Sequence, residues 1–280
     1  MGLSAGECFA KGLALLSKAG VANPQLDAEI LARKACGMER YELKAYPERQ
    51  LTPDMEQTAE QYFNRRCKFE PVAYILGEKE FYSLNFFVNQ NVLIPRPETE
   101  LLVDLAVYYT PQNSSLLDIC TGSGCVAIAV KHSRRDIAVT ASDISSAAIN
   151  IAQKNAKALL GDATITFLQG DMFAPVSRNR FNCITCNPPY VAEEDKDEIA
   201  ADLLYEPAQA LFADEGGTAM IRRAINECTP YLTNDGVLLL EIGDTMADFV
   251  KQTGEAVGFH VSVMNDYGGL PRAAVLKKQP

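Results

Sequence analysis

The chain has 280 residues, of which 48% are hydrophobic and 22% charged, proportions of a folded globular protein that exclude disorder and fibrous repetition. That length exceeds one ordinary core, so a large domain with a smaller companion is expected. Twenty-six basic against 36 acidic residues leave a formal charge of -10, the wrong sign for non-specific attraction to a phosphate backbone, which excludes a generic nucleic-acid binder.

No apolar run approaches the roughly 18 to 20 residues that span a bilayer, and the first residues lack the basic flank and apolar core of a signal peptide. The myristoylation pattern also fails, because Gly6 stands where Ser or Thr is required. The expectation is a cytoplasmic protein without membrane contact, in which the eight cysteines are reduced thiols.

Residues 1–72 are expected to form a small helical domain. Asn23-Pro24 reads as a capping side chain before a proline at the first helical position. Leu26, Ile30 and Leu31 follow at helical spacing until Gly37. Thr52-Pro53 repeats that entry, with Asp54 and Glu56 in the first turn, where carboxylates suit the helix dipole. This region is electrically neutral, so the excess of negative charge lies in residues 76–280, and the asymmetry supports two domains with different tasks. Residues 73–95 are expected to be a linker in which Glu80–Gln90 forms a hairpin with a Ser-Leu-Asn centre.

Residues 96–280 alternate helix and strand patterns, an α/β arrangement. Strands are expected at Leu116–Ile119, Ile137–Ala141, Ile165–Leu168, Phe181–Thr185, Val237–Ile242, His260–Met264 and Ala273–Leu276. Helical stretches between most of them argue for a mostly parallel sheet covered on both faces. No internal repeat is visible, which removes solenoids.

Four motifs fall at strand C-termini, where such sheets bind ligands. The first strand ends in Asp118 and turns through Cys120-Thr121-Gly122-Ser123-Gly124 into a helix; the two glycines let a ligand approach the backbone. Read alone, Gly122 to Ala127 also satisfies the dinucleotide fingerprint G-x-G-x-x-A. Asp143 ends the next strand, about twenty residues on, placed to accept both hydroxyls of a ribose. Asp171 follows the third strand, where an acid can meet an adenine amino group while Met172 covers the ring. Alone, Asp171 reads equally as a loop cap. Asn187-Pro188-Pro189-Tyr190 follows the fourth strand. Its two prolines stiffen the loop, so that an amide oxygen and a proline carbonyl can accept both hydrogens of a planar NH2 group beside a tyrosine ring. That suits methylation of an amide or an exocyclic amine.

The glycine loop, Asp143 and Asn187-Pro188-Pro189-Tyr190 together resemble the signature of class I S-adenosylmethionine-dependent methyltransferases acting on nitrogen. Pro71–Gly77, Leu93–Glu100, Tyr205-Glu206-Pro207 and the early helices extend the likeness over nearly the whole chain, to the peptide chain release factor glutamine N5-methyltransferases, the PrmC/HemK family. The resemblance implies a seven-stranded Rossmann-like methyltransferase sheet with a small N-terminal helical domain and a linking β-hairpin. It implies S-adenosylmethionine as cofactor and class I release factors as partners, docked by the helical domain and methylated on the glutamine of Gly-Gly-Gln, with no direct contact to nucleic acid. Carried over, the cofactor contacts are Cys120 to Gly124, Asp143, Met172 and Asn187, joined by the strand-end acids Asp118 and Asp171. Asn187, Pro188 and Tyr190 are the catalytic candidates, and with Pro189 they hold the substrate glutamine. Cys120 stands where many relatives have glycine, and Met172 where others have tryptophan, which makes Phe173 a second candidate for the adenine face.

Other candidates are weaker. Cys183 and Cys186 have C-x-x-C spacing, but residues three apart on a strand point to opposite faces, so no metal is expected there. His132 and His260, the two histidines, lie outside every motif. The acidic run Glu193–Glu198 reads as a solvated helix that can steer a basic partner segment. Rival functions are methylation of a ribosomal-protein glutamine, adenine N6 methylation, nicotinamide-dependent redox chemistry and plain adenosine binding.

Overall fold

A computed structural model of the chain describes residues 2–176 and 179–278. The chain forms two compact units, one running to Gly77 with Ala200–Tyr205, the other taking Glu78–Ile199 and the chain from Glu206 on.

The first unit is helical: α1 (Ala5–Lys18), α2 (Pro24–Ala35), α3 (Arg40–Ala45), α4 (Pro53–Arg66) and α5 (Val72–Leu76). A reciprocal capping box starts α1, where Ser4 Oγ accepts from Glu7 N and Glu7 Oε2 accepts from Ser4 N at 2.8 Å. Thr52 caps α4 through Met55 N, as its sequence suggests. Asn23 does not cap α2 with its side chain. Asn23 is not in the extended conformation of a capping residue (φ -122°, ψ 61°), and Pro24 brings a preset helical φ at the first position. Leu26 is exposed, and Leu31 and Ala28 carry the buried face of α2. Buried Arg66 on α4 bonds Asp27 of α2 at 2.7 Å and donates to the carbonyls of Phe69 and Glu70, so its charge is paired.

Sequence placed the edge of this domain at residue 72; the unit runs to Gly77 because α5 packs Ile75 into its core. Arg65 donates to the carbonyls of Tyr74 and Ile75, fastening α5 to α4, and Gly77 ends the helix with φ of 74°. Residues 200–205, read from sequence as part of the larger domain, belong to this unit: Tyr205 donates to Lys68 O at 2.6 Å, and Asp202 lies 3.7 Å from Arg66.

The second unit opens with a hairpin of β1 (Glu78–Phe81) and β2 (Leu84–Phe87). Its turn is Tyr82-Ser83, both with positive φ, and not the Ser-Leu-Asn centre expected. A two-residue turn of that hand matches strand twist. It also sets the register that buries Phe81 and Phe86 together, their rings edge-to-face at 5.9 Å.

The remaining elements are α6 (Glu100–Tyr109), β3 (Ser115–Ile119), α7 (Cys125–Ser133), β4 (Ala138–Asp143), α8 (Ser146–Leu160), β5 (Ile165–Gln169), β6 (Phe181–Cys186), β7 (Val191–Ala192), α9 (Ala208–Leu211), β8 (Phe212–Ala213), α10 (Ala219–Glu227), β9 (Leu232–Glu241), α11 (Ala247–Ala256), β10 (Phe259–Asn265) and β11 (Pro271–Lys278). The expected sheet is present, seven strands in the order β10-β11-β9-β6-β3-β4-β5, with β11 antiparallel to both neighbours and the other pairings parallel. The central strands are apolar on both faces because helices cover both; Leu116, Leu117 and Ile119 of β3 are fully buried, each side chain contributing about 1.5–3 kcal/mol.

From β3 the chain winds outward through β4 and β5, and from β6 it winds the other way through β9. The reversal leaves a crevice outside the C-terminal ends of β3 and β6, the place where sheets of this topology take ligands. Among the described residues no helix is long and apolar enough to cross a membrane.

Candidate active site

A cavity of about 460 Å³ opens at this crevice, within the size range of small-molecule sites. Its wall on the β3 side is the turn Cys120–Gly124. Gly122 (φ 55°) would project a Cβ into open space, so its bare backbone faces the cavity; a Cβ on Gly124 (φ 80°) would meet Ile128 Cδ1 at 2.9 Å, where α7 and α8 approach. Asn155 of α8 holds this turn from behind, donating to Ser123 O at 2.9 Å while exchanging two hydrogen bonds with the backbone of Phe87. The hairpin is thereby tied to the glycine loop.

Asp143, at the end of β4, accepts from Gly122 N at 2.8 Å and from Ser145 N at 2.9 Å. Burial pushes its carboxyl above the ordinary range, and the hydrogen bonds from Ser145 and Gly122 oppose that shift. Asp118 is deeper: its two oxygens accept from the hydroxyls of Thr121 at 2.6 Å and Thr185 at 2.7 Å, and burial still raises its pKa to about 6. Asp171 is not free as a loop acid. Arg223 of α10 grips it with two nitrogens at 3.0 and 3.1 Å, and each oxygen keeps a further lone pair.

Met172 has φ of 47° and lines the cavity with its sulfur 3.9 Å from Cys120 Sγ. Phe173, the other candidate for the adenine face, points the opposite way: it is 1% exposed and stacks on Tyr231 at 4.8 Å in the core. Met172 packs in the same core cluster, but it alone of the two also lines the cavity. Ile144, which sequence reasoning passed over, is half exposed and lines the cavity directly after Asp143; a large aliphatic residue just past a strand-end acid was the available signal.

Of the cofactor candidates, Asp118, Cys120, Thr121, Gly122, Ser123, Asp143, Asp171, Met172 and Asn187 line this cavity; Gly124 does not. Asn187 also lines a second, adjoining cavity of about 50 Å³, with Pro188 and Tyr190, while Pro189 faces the larger one. Asn187 therefore stands in the wall common to both.

The tetrapeptide is held by residues from distant parts of the chain. Asn187 Nδ2 donates to Thr99 Oγ1 at 3.3 Å, and Tyr190 donates its phenolic proton to Glu241 Oε1 at 3.2 Å. Glu241 ends β9 and is 2% exposed; burial raises its pKa, against the opposing influence of the Thr99 and Tyr190 hydroxyls. Burial, with the Glu241 charge behind it, holds the Tyr190 phenol well above its ordinary value, so it stays neutral. Behind Leu93–Thr99, buried Glu206 accepts from Ile94 N at 2.8 Å and ion-pairs with Arg96, which lines both cavities.

Glu241, Thr99, Arg96 and Glu206 are functional neighbours that sequence reasoning did not assign, although Thr99, Arg96 and Glu206 sit in segments it singled out. The signal for Glu241 was an acid closing the apolar run Val237–Leu240. Cys183 and Cys186 are both buried, His132 and His260 are exposed and line neither cavity, and among the described residues no group of His, Cys, Asp and Glu is placed to hold a metal ion. The acidic run is an exposed 3-10 helix over Glu193–Asp197, with Glu193 at the cavity wall.

Chemically, the larger cavity offers a carboxylate pair, a bare glycine backbone and apolar covers, a set that fits a nucleoside-bearing ligand. Beside it, carbonyl acceptors and a neutral phenol fit a planar amide.

Comparison with known proteins covers both units. Residues 7–77 match the PrmC N-terminal domain family and residues 97–240 the methyltransferase small domain family. The release factor glutamine methyltransferase of Coxiella burnetii (strain RSA 493 / Nine Mile phase I) is 40% identical over 258 residues, 91% of this chain and 92% of that protein. That of Escherichia coli (strain K12) is 37% identical over 255 residues, 90% and 92% of the two. A solved methyltransferase structure from Pyrococcus furiosus shares the fold, with a TM-score of 0.56, 16% identity and coverage of 78% of this chain and 99% of its own.

Proposed function

The chain belongs to the release factor glutamine methyltransferase family, and from that premise we propose that it transfers a methyl group from S-adenosylmethionine to the side-chain nitrogen of the glutamine in the Gly-Gly-Gln motif of class I release factors. The observation that carries the reading is the position of Asn187 in the wall shared by a nucleoside-sized cavity and a small adjoining one that Tyr190 and Glu241 also line. Methyl donor and amide acceptor then meet at one side chain.

The residues present fit the donor. Asp143 takes the ribose hydroxyls, Asp171 and Met172 the adenine, and the exposed backbone at Gly122 the close approach of the methionyl portion. When bound, the donor supplies a methyl group already activated on a sulfonium sulfur. The protein's task is alignment and exclusion of water. Asn187 Oδ1 and the Pro188 carbonyl accept the two amide hydrogens, which turns the nitrogen lone pair toward the methyl and stabilises the positive charge that develops there. The Tyr190 ring packs on the amide plane.

The test is methyl transfer from isotopically labelled donor to an intact class I release factor and to the same factor with the motif glutamine replaced by alanine. Label in the first alone, mapped by mass spectrometry to the glutamine side chain, supports the assignment. Label elsewhere, or in both, contradicts it.

A further inference from the structure

Glycine lets the turn at Gly122 and Gly124 come close to a ligand, and the same freedom works against it. A peptide group next to a glycine flips at little cost, because no Cβ resists the new φ. The local sequence therefore does not by itself hold the turn in one form.

The hold comes from bonds to the turn's peptide groups. The Thr121–Gly122 peptide is fixed at both ends: Thr121 O accepts from Gly124 N at 2.8 Å, and Gly122 N donates to Asp143 at 2.8 Å. The Ser123–Gly124 peptide has its N–H on Thr121, and its oxygen accepts from Asn155 Nδ2 at 2.9 Å. That last bond comes from α8, 32 residues along the chain. Asn155 can give it in one orientation only. Its amide lies against the backbone of Phe87 in β2, where Oδ1 accepts from Phe87 N at 2.8 Å and Nδ2 donates to Phe87 O at 3.0 Å. A rotated amide would set NH2 against N–H and oxygen against oxygen, so the strand backbone dictates which end of Asn155 carries protons. One Nδ2 proton goes to Phe87 and the other to Ser123. Asn155 and Ser123 are each 2% exposed, so water does not replace the bond.

We propose that Asn155 is a positioning residue for the methyl donor: it passes the fixed direction of the β2 backbone to the Ser123–Gly124 peptide and keeps the glycine turn in its receptive form before the donor arrives. The proposal rests on the donor reading given above and deepens it. Asn155 lines neither cavity. Its effect passes through the Ser123 carbonyl, and a turn ordered beforehand loses no affinity to its own ordering.

The test uses full-length protein and three substitutions. Asn155→Leu keeps the bulk and removes all three bonds, and Asn155→Ala removes bulk and bonds together. Leu160→Ala, at the far end of α8, weakens the core without touching the turn; Leu160 is buried and lines neither cavity. In donor-free, ¹⁵N-labelled protein the amide resonances of Gly122 and Gly124 report the turn, and calorimetry with S-adenosylhomocysteine reports the consequence. Both Asn155 variants are expected to show microsecond-to-millisecond exchange broadening at these two amides and to bind about 10-fold more weakly or worse. Leu160→Ala should melt at a lower temperature yet keep sharp resonances and wild-type affinity. Folded Asn155 variants with sharp resonances, or with affinity within about threefold of wild type, overturn the proposal. So does an equal loss in Leu160→Ala, because general destabilisation then explains it. Should neither Asn155 variant fold, the wild type decides: sharp Gly122 and Gly124 amides without donor support the proposal, and exchange broadening there overturns it. The resonances are read without donor, so a wild type that fails to bind S-adenosylhomocysteine counts against the proposed function alone.

Discussion

Asp143→Ala probes the donor site at its most constrained point. The carboxylate holds two backbone amides, Gly122 N at 2.8 Å and Ser145 N at 2.9 Å, and its remaining lone pairs are those assigned to a ribose. Loss of a charge-assisted ribose contact costs about 1.5–3 kcal/mol, which at 1.4 kcal/mol per decade is roughly a 10- to 150-fold weaker affinity. Release of Gly122 adds to the loss, because the glycine turn is then no longer held in its receptive form before the ligand arrives. Stability should respond differently. Two orphaned N–H groups destabilise the variant, yet burial holds the Asp143 carboxyl above its ordinary pKa, so removing it also relieves a desolvation cost. These contributions oppose each other, and the thermal midpoint should move far less than the affinity. Titration calorimetry with S-adenosylhomocysteine, paired with a thermal melt of the free protein, measures both. A folded variant that binds within about threefold of wild type would place the ribose elsewhere and refute the assignment.

Asn187→Ala removes an acceptor that matters most as the amide nitrogen gains charge, so single-turnover methyl transfer at saturating donor should slow roughly 100- to 1,000-fold while the fold survives; a rate within about threefold of wild type ends its catalytic role. Gly217 has φ of 83°, and a Cβ there would lie 2.2 Å from the Tyr190 carbonyl oxygen, so Gly217→Ala should cost about 1–3 kcal/mol in denaturant unfolding and displace the tetrapeptide, lowering turnover more than donor affinity. An unchanged rate would show that the loop does not depend on that close approach. Asp118 titrates at about 6 in the fold against an ordinary 3.8, so the folded state holds its proton more tightly. Stability from this group is then fully present below about pH 4 and declines by about 3 kcal/mol as pH rises through 6. The wild-type minus Asp118→Asn difference in unfolding free energy between pH 4 and 7 isolates this slope, and a flat difference would contradict it.

What could be read from the chain alone was what is contiguous in it. Gly122 and Gly124 take positive φ in a turn, a conformation glycine adopts without strain, and Pro188 and Pro189 announce a rigid loop, because each of these residues does its work within its own neighbourhood. Strand positions followed from the same local logic. The hairpin turn did not: Tyr82 and Ser83 adopt positive φ because burial of Phe81 and Phe86 selects the register, and no turn residue advertises it. The Asn23 cap fails on backbone conformation: Asn23 has φ -122° and ψ 61°, whereas Thr52, also followed by a proline, is extended at φ -77° and ψ 156° and makes its cap.

The supports of the site are hidden by separation. Asn187 and Thr99 are 88 residues apart, Tyr190 and Glu241 are 51 apart, and Arg96 and Glu206 are 110 apart. Tyr190 and Glu241 meet because β6 pairs with β9, an order that a list of seven strands does not contain, and the other two pairs join loops that are distant in the chain. Strain follows the same geography. Cys120 and Met172 are non-glycine residues with φ of 58° and 47°, conformations that cost an L-residue about 1–2 kcal/mol each, and both line the larger cavity, sulfur to sulfur, at the ends of β3 and β5. A glycine at either position would remove the strain, but it would also remove the side chain that forms the wall. Both side chains line the crevice and also pack on the core cluster that holds Ile119 and Phe173, so each joins the cavity wall to the core. The local cost is therefore tied to the shape of the larger cavity, and the buried strands that flank it supply the stability that sustains it.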